Sequence, residues 1–172
     1  MISWLRSTKR YFAALLISHS VEPRKESVGA ALIPKTPPDD TVLIVEDFTA
    51  NVMVATMMLE HMGYKTEVAR CGAEAVAKVS ARTIPYVAIL MDVQMHDMDG
   101  FEATRQIRAV ETEKNFRHFI IGVTAHAMLG DRDQCIRAGM NDYISKPLHP
   151  DILAKRLRAT HHRQKGVDQS GN

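Results

Sequence analysis

The stretch from Val87 to Gly100, VAILMDVQMHDMDG, constrains the fold of this chain more than any other. It starts with an apolar run, Val87 to Met91, and a run of Val, Ile and Leu without polar alternation is typical of a strand buried on both faces of a parallel sheet. The run ends on Asp92, and an acid at the carboxyl end of such a strand faces the crevice where open α/β sheets bind ligands. Asp99 and Glu102 have the spacing of a helix start. We therefore predict a strand, an acid, a loop and a capped helix that together form a site.

The rest of the chain alternates between short apolar runs and segments with helical spacing. This order predicts βαβ units, and therefore an α/β fold with a doubly wound parallel sheet and helices on both of its faces. The predicted strands are Thr41–Val45, Lys65–Ala69 (alternating, and so nearer an edge), Val87–Met91, Phe119–Val123 and Tyr143–Ser145. The predicted helices are Asn51–Met62, Gly72–Val79, Gly100–Val110, Asp131–Ala138 and Ile152–Leu157.

Polar residues follow four of the predicted strands, at Glu46 and Asp47, Asp92, Thr124 and Lys146. Because the carboxyl ends of parallel strands meet at one edge of the sheet, a single crevice can receive all of these side chains. The three carboxylates repel one another unless a cation is bound, and Mg²⁺ suits such a site because it needs few carboxylates and keeps waters that a phosphate can replace. A lysine and a hydroxyl beside them indicate phosphoryl transfer to a carboxylate.

Separate sequence blocks between Thr41 and about Ala159 resemble a known family. The blocks are LIVED (Leu43–Asp47), MDVQM and MDG (Met91–Met95 and Met98–Gly100), VTAHAM (Val123–Met128) and AGMNDYISKPL (Ala138–Leu148). With these blocks in this order, the chain resembles the response-regulator receiver domain of two-component signalling, especially the receivers attached to hybrid sensor histidine kinases. The resemblance implies a flavodoxin-like sheet of five parallel strands in the order 2-1-3-4-5.

The resemblance also implies roles for the polar residues of the crevice. Asp92 would accept a phosphoryl group from a phosphohistidine, and the other catalytic residues, Lys146 and Thr124, would bind its oxygens. Thr124 and Tyr143 would form a switch that changes the face made by the fourth helix, fifth strand and fifth helix. Such a domain catalyses only its own phosphorylation and dephosphorylation, so it is not an enzyme for an external substrate. The implied cofactor is Mg²⁺, with the ligands Glu46, Asp47, Asp92 and the backbone carbonyl of Gln94.

Two residues depart from the pattern of the family. Phe48 stands where the family often has Asn or Asp, which is expected to alter loop packing and not the metal site. His96 stands where QMPxMDG usually has proline, and it leaves this loop freer than proline would. We hypothesise that this freedom changes the lifetime of the phosphoryl group, so that His96→Pro alters the dephosphorylation rate. The alternative is an exposed polar substitution without a functional role.

The same residues also bear on three alternative functions. An aspartate-nucleophile phosphatase usually has a second acid two residues after the nucleophile, where this chain has Gln94. A P-loop enzyme would need a glycine-rich phosphate loop, which the sequence lacks. A receiver-like interaction module that works without phosphorylation is the remaining alternative, and the five retained polar residues of the crevice argue against it.

Length and composition set the expected domains. A chain of 172 residues with 45% hydrophobic content suggests one domain with extensions. Residues 1–40 are expected to be a weakly ordered extension with a proline-containing linker. Within them, the apolar run Tyr11–Ile17 after basic residues resembles either a short signal-peptide core or a basic surface helix. The receiver domain is expected at 41–159, and a polar, basic tail at 160–172.

Charge and cysteine content set the expected partners. A net charge of +2, and a basic terminal cluster without interleaved aromatic residues, do not favour nucleic acid. Two widely spaced cysteines read as reduced thiols in a cytoplasmic protein, and no apolar run approaches the roughly 20 residues of a membrane span. The resemblance implies a histidine kinase or a histidine phosphotransfer protein as partner, and it allows a homodimer through the face of the fourth helix, fifth strand and fifth helix.

Overall fold

The computed structural model describes residues 40–114, 116–125 and 131–167. The predicted extension before residue 40, residues 126–130 with the end of the VTAHAM block, and the part of the predicted tail beyond 167 lie outside these residues. Strands and helices alternate along the described chain. They are β1 (Thr41–Val45), α1 (Thr49–His61), β2 (Lys65–Ala69), α2 (Gly72–Ala81), β3 (Ala88–Asp92), α3 (Gly100–Glu111), β4 (Ile120–Thr124), α4 (Asp131–Ala138), β5 (Asp142–Ser145) and α5 (Pro150–Val167).

The strands form one parallel sheet in the order β2-β1-β3-β4-β5. This order confirms the predicted flavodoxin-like fold. β1, β3 and β4 are buried along their whole length, whereas β2 at one edge is only partly buried. β5 lies at the other edge and pairs with β4 alone. The apolar runs of the sequence therefore became the central strands, and the alternating run became an edge strand, as predicted.

Two apolar layers cover the faces of the sheet. On one face, β1, β3 and β4 pack against α1 and α5, for example through Leu59, Leu90 and Leu157. On the other face the same strands pack against α2, α3 and α4, for example through Ile107 and Cys135. Full burial of each large aliphatic side chain contributes roughly 1.5–3 kcal/mol. These layers hold the strand ends, and the polar residues that follow them, in fixed positions.

Several boundaries differ from the prediction. β4 covers Ile120–Thr124 and not Phe119–Val123, so that Thr124 is the last residue of the strand. α5 runs from Pro150 to Val167 and not from Ile152 to Leu157, and so crosses the predicted domain end at 159. The prediction ended this helix at its last large apolar residue, but no proline or glycine interrupts residues 158–165, and the helix continues. Within the described ranges, no helix is both long and apolar enough to cross a membrane.

The methionines of α1 and of its C-cap differ in their exposure. Met58 and Met62 pack against the core. Met53 and Met57 are 60% and 68% exposed, and Phe48 just before the helix is 62% exposed. α1 therefore presents an apolar surface to solvent beside the carboxyl end of β1.

Candidate functional site

Three carboxylates meet at the carboxyl edge of the sheet. Glu46 and Asp47 directly follow β1, and Asp92 is the last residue of β3 beside it. Each offers one carboxylate oxygen, and these oxygens all lie within 4.8 Å of one another. Glu46 is 6% exposed and Asp92 2% exposed, so their charges have little water around them. Oxygen ligands at this spacing fit a hard divalent cation such as Mg²⁺.

Lys146 brings a positive charge into this group. Its backbone N–H donates to the carbonyl of Thr124 at 2.7 Å, which continues the pairing of β5 with β4 beyond Ser145. Its Nζ donates to Asp92 Oδ2 at 2.7 Å and to Glu46 Oε2 at 2.8 Å. The prediction that these residues share one crevice is confirmed for Glu46, Asp47, Asp92 and Lys146.

The pKa values in this cluster reflect burial and mutual charge. Burial raises the pKa of the Asp92 carboxyl, and the nearby Glu46 carboxylate raises it further. Together they outweigh the hydrogen bonds from Lys146 and from the backbone of Gln94, which favour the charged form. Burial alone would lower the pKa of Lys146, but its hydrogen bonds to Asp92 and Glu46 outweigh burial and leave this pKa raised. Without a metal the site therefore holds more negative charge than Lys146 offsets.

The start of α3 is built closely against Asp92. Asp99 caps the helix, since its Oδ1 accepts a hydrogen bond from the Glu102 backbone at 2.7 Å, as predicted. The next residue, Gly100, lies so near β3 that a Cβ atom there would collide with the backbone carbonyl of Asp92. The Gln94 N–H donates to Asp92 Oδ1 at 3.2 Å. In the MDG block, Asp99 therefore caps α3, and Gly100 leaves room for the backbone of Asp92.

His96 forms a contact that the sequence analysis missed. Its Nδ1 lies 2.8 Å from Asp47 Oδ2, and its backbone N–H donates to the same oxygen at 3.2 Å. The hydrogen bond raises the pKa of His96 and lowers that of Asp47. The ring itself is 96% exposed. The sequence placed His96 only four residues after Asp92, and nothing in that spacing indicated that the loop would bring it to the end of β1.

Thr124 and Tyr143 lie on the same face of the sheet. Tyr143 pairs with Gly122, and Gly122 is two residues before Thr124. The side chain of Tyr143 packs against the apolar layer of α2, α3 and α4. Thr124, at 3% exposure, lines a cavity of about 560 Å³ that also touches Gln94 and Cys135. The two predicted switch residues therefore lie on neighbouring strands and on the same face of the sheet, and Thr124 borders the cavity.

A second cavity, of about 410 Å³, opens beside Asp92 on the side of α1 and α5. Asp92 and Lys146 form its polar end, and its other walls are mostly apolar, including Val54 of α1 and Leu148 after β5. Val54 is itself 46% exposed, so the opening beside Asp92 reaches the exposed apolar surface of α1.

Comparisons with known proteins agree with this geometry. The family model for the response regulator receiver domain matches residues 42–158. The sensor protein GacS of Pseudomonas syringae pv. syringae is 37% identical over 142 residues, which is 81% of this chain and 15% of that protein. Hybrid signal transduction histidine kinase I of Dictyostelium discoideum is 36% identical over 131 residues, which is 74% of this chain and 7% of that protein. The chain thus spans only a small part of these relatives.

Solved structures show the same fold. The receiver domain of the sensor histidine kinase PA1611 of Pseudomonas aeruginosa PAO1, with a magnesium ion in its active-site cleft, is 40% identical with a TM-score of 0.62, over 70% of this chain and 95% of that one. The receiver domain of the histidine kinase CKI1 of Arabidopsis thaliana, complexed with Mg²⁺ and BeF₃⁻, is 34% identical with a TM-score of 0.64, over 72% and 90%. The sheet order, the acidic cluster and these matches show that the chain belongs to the response regulator receiver domain family of two-component signalling.

Proposed function

We propose that this domain accepts a phosphoryl group on Asp92 in a Mg²⁺-dependent reaction with a phosphohistidine. The observation that carries the proposal is the position of the Lys146 ammonium, which is hydrogen-bonded to Asp92 Oδ2 inside a cluster of three carboxylates. The phosphorus–nitrogen bond of the donor breaks, an Asp92 oxygen forms the new bond to phosphorus, and the imidazole leaves. Loss of the group to water, or its transfer to another histidine, returns Asp92 to its starting form.

Glu46, Asp47 and Asp92 are the proposed metal ligands, together with the backbone carbonyl of Gln94. Mg²⁺ would supply positive charge that offsets the three carboxylates and the oxygens of the incoming group. Glu46 and Asp92 are buried and already near each other, so little rearrangement is needed to bring their oxygens to one ion. The magnesium-bound receiver of PA1611 supports the same choice of metal.

Lys146 and Thr124 are the proposed partners of the phosphoryl oxygens. In the unphosphorylated protein, the ammonium of Lys146 binds Asp92 directly. When Asp92 carries a phosphoryl group, we expect Lys146 to bind one of the new oxygens and the Thr124 hydroxyl to donate to another. A doubly charged group is able to reorder its surroundings in this way because charge-assisted hydrogen bonds are strong.

The proposed signal is a change on the face made by α4, β5 and α5. Movement of Thr124 toward the phosphoryl group would free space in the 560 Å³ cavity beside it. Tyr143, on the same face of the next strand, would then repack and change the surface beside α4. This altered face is also where a homodimer would form.

The proposed donor is a histidine kinase or a histidine phosphotransfer protein. Val54 lines the opening beside Asp92, and the neighbouring surface of Phe48, Met53 and Met57 is apolar and exposed. Exposed apolar surface of this kind is typical of protein contact sites. A donor that covers it would bring its histidine to the 410 Å³ opening.

Phosphate-affinity electrophoresis with acetyl phosphate and Mg²⁺ tests the proposal. We expect a retarded band for the natural chain, no such band for Asp92→Asn, and none after chelation of Mg²⁺. The exposed acid nearby, Asp97, provides the matched control, so Asp97→Asn should still shift. An unshifted natural chain would favour a receiver-like interaction module that works without phosphorylation.

A further inference from the structure

A buried polar network ties four segments together at the amino edge of the sheet, opposite the acidic cluster. Arg108, in the last turn of α3, is its centre, and only 12% of its side chain is exposed. Its guanidinium donates to the carbonyl of Gly139 at 2.8 Å, to the carbonyl of His118 at 3.0 Å and to Asn141 Oδ1 at 2.8 Å. It also pairs with Glu111 at 2.6 Å. Four parts of the chain thus meet at the Arg108 side chain: α3, the segment before β4, the end of α4 and the segment before β5.

Glu111 completes the network from the same helix. Its Oε1 accepts from the backbone N–H of His118 at 2.8 Å and lies 2.7 Å from His118 Nδ1. Burial would raise the pKa of Glu111, but its hydrogen bonds to His118 and Arg108 outweigh burial and lower this pKa. The network is therefore a buried, charged cluster and not a chance surface contact, although His118 Nε2 has no hydrogen-bond partner among the described residues.

Asn141 connects this network to the start of the β4–β5 pairing. Its Oδ1 accepts from Arg108 and also from the backbone N–H of Ile120, at 2.9 Å. Its own N–H donates to the carbonyl of Ile120 at 2.8 Å. Asn141 thus binds both backbone groups of the first residue of β4, and it does so immediately before β5 begins.

The position of β5 matters because this strand delivers Lys146. β5 is four residues long and pairs only with β4, from Ile121 opposite Asp142 to Thr124 opposite Ser145. A short edge strand holds its register weakly unless something else specifies it, and a shift of one residue turns its side chains to the other face. Lys146 comes directly after this strand, and its ammonium must reach Asp92 on β3.

We propose that Arg108 and Asn141 are positioning residues that set the register of β5 on β4 and thereby place Lys146 for phosphoryl binding. The inference rests on the proposed function, since it concerns the residues that bind the phosphoryl oxygens. It also predicts a division of labour. The metal ligands lie at the ends of β1 and β3, which this network does not touch. Phosphoryl binding should therefore depend on the network more strongly than metal binding does.

Two NMR titrations of the full chain test this division. The first measures Mg²⁺ affinity, and the second measures the affinity for beryllofluoride, a phosphoryl analogue, at saturating Mg²⁺. We expect Asn141→Ala and Arg108→Gln to weaken beryllofluoride binding about tenfold, since each removes buried hydrogen bonds, and to leave Mg²⁺ affinity within about twofold. Asn141→Asp keeps an oxygen that accepts from both Ile120 and Arg108, so it should behave like the natural chain.

Arg82→Gln is the matched control for general destabilisation. Arg82 is also a partly buried arginine at the amino edge, where its guanidinium pairs with Glu67 at 3.0 Å, but it lies on the side of β2, which carries no site residue. This variant should bind beryllofluoride normally. Dispersed amide spectra will show which variants are folded. If Asn141→Ala is not folded, Arg108→Lys replaces it, since it keeps the charge but not the forked donors.

The outcomes separate the two proposals. If the natural chain does not bind beryllofluoride, the proposed function fails. If the natural chain binds it and Asn141→Ala binds it equally well, the positioning role is wrong. The same conclusion follows if Mg²⁺ affinity falls in parallel with beryllofluoride affinity, or if Arg82→Gln loses as much as Arg108→Gln.

Discussion

At the scale of single residues, the central feature is the carboxylate of Asp92, whose charged form is disfavoured by its surroundings in the fold. Asp92 is almost fully buried and lies beside Glu46, and both circumstances raise its pKa. Lys146 offsets part of this cost but also binds Glu46. A site arranged in this way gains from any added positive charge, which is the physical reason to expect Mg²⁺ there.

Asp92→Asn should make the metal-free protein more stable at neutral pH. The pKa of Asp92 is raised in the fold above its ordinary value of 3.8, so ionisation of this group costs stability as the pH rises through the folded pKa. Asparagine removes the charge and keeps an oxygen that accepts from Lys146. We expect the melting temperature of Asp92→Asn to equal that of the natural chain near pH ~3 and to exceed it increasingly toward pH ~7.

The measurement is thermal unfolding at several pH values with a chelator present. Asp97→Asn serves as the control, because Asp97 lies on the exposed loop after β3 and should show no comparable gain. An Asp92→Asn protein that melts below the natural chain at pH ~7 would show that Lys146 stabilises the carboxylate more than burial destabilises it.

His96 gives a second prediction at this scale. Its ring binds Asp47 Oδ2, and the carboxylate of Asp47 is one that a metal would also use. His96→Ala should therefore strengthen Mg²⁺ binding about twofold to fivefold, as expected for the loss of one exposed competing pair. Calorimetric titration with magnesium chloride measures this, with His61→Ala, at the far end of α1, as the control. Weaker binding would mean instead that His96 orients Asp47 for the metal. The predicted effect of His96→Pro on the dephosphorylation rate stays a prediction.

At the scale of elements, two neighbouring residues at the start of α3 have different roles: Asp99 stabilises the helix, and Gly100 leaves room for Asp92. Asp99→Ala removes the N-cap and should cost about 1 kcal/mol of unfolding free energy, with Mg²⁺ affinity nearly unchanged. Gly100→Ala places a methyl group against the carbonyl of Asp92 and should displace that residue, so Mg²⁺ affinity should fall about tenfold or more. Urea unfolding and calorimetric titration of both variants distinguish these effects. Equal Mg²⁺ affinities would mean that α3 yields without disturbing β3.

The exposed face of α1 gives a prediction about the donor. Met57 is 68% exposed, so Met57→Lys should fold normally but place a charge on the proposed contact surface. We expect transfer from a phosphorylated histidine phosphotransfer domain to slow about fivefold or more, while phosphorylation by acetyl phosphate keeps its rate. Ile84→Lys is the control, because Ile84 is also exposed, at 51%, but precedes β3 at the opposite edge. Equal slowing with both donors would place the effect in the site and not in docking.

Most helices and strands were predictable because the hydrophobic pattern of each segment matches its burial in the folded chain. The buried strands β1 and β3 are unbroken apolar runs, and the predicted N-cap of α3 is a local hydrogen bond between residues three positions apart. The end of α5 was not predictable from apolar spacing, because mostly polar residues continue the helix beyond Leu157. The exposure of Met57 was not predictable for a related reason, since α1 is apolar on most of its surface and its buried face has no clear periodicity.

In the site, contacts between strand ends were predictable from the sequence, whereas contacts that depend on the path of a loop were not. Glu46, Asp92 and Lys146 were predictable as neighbours because parallel strands bring their carboxyl ends to one edge. The contact of His96 with Asp47 joins a loop to a strand end 49 residues earlier, and it depends on the path of that loop. The bonds of Arg108 to Gly139 and Asn141 likewise join residues more than 30 positions apart. No spacing rule predicts such contacts.

At the scale of the whole molecule, the two edges of the sheet have different tasks. The carboxyl edge gathers the acidic cluster and Lys146, and the amino edge holds the network of Arg108. β5 is only four residues long, so a displacement of its amino end would be transmitted through the backbone to Lys146. The proposed phosphoryl binding at the first edge would therefore depend on the Arg108 network at the second.

The most direct test of the account is a crystal structure of the chain grown with Mg²⁺ and beryllofluoride. We expect beryllium bonded to a carboxylate oxygen of Asp92, a metal ion among Glu46, Asp47 and Asp92, and fluorides bound by Lys146 and Thr124. A structure from crystals grown with both reagents that shows neither of them at this edge of the sheet, and Lys146 still bound to Asp92, would contradict it.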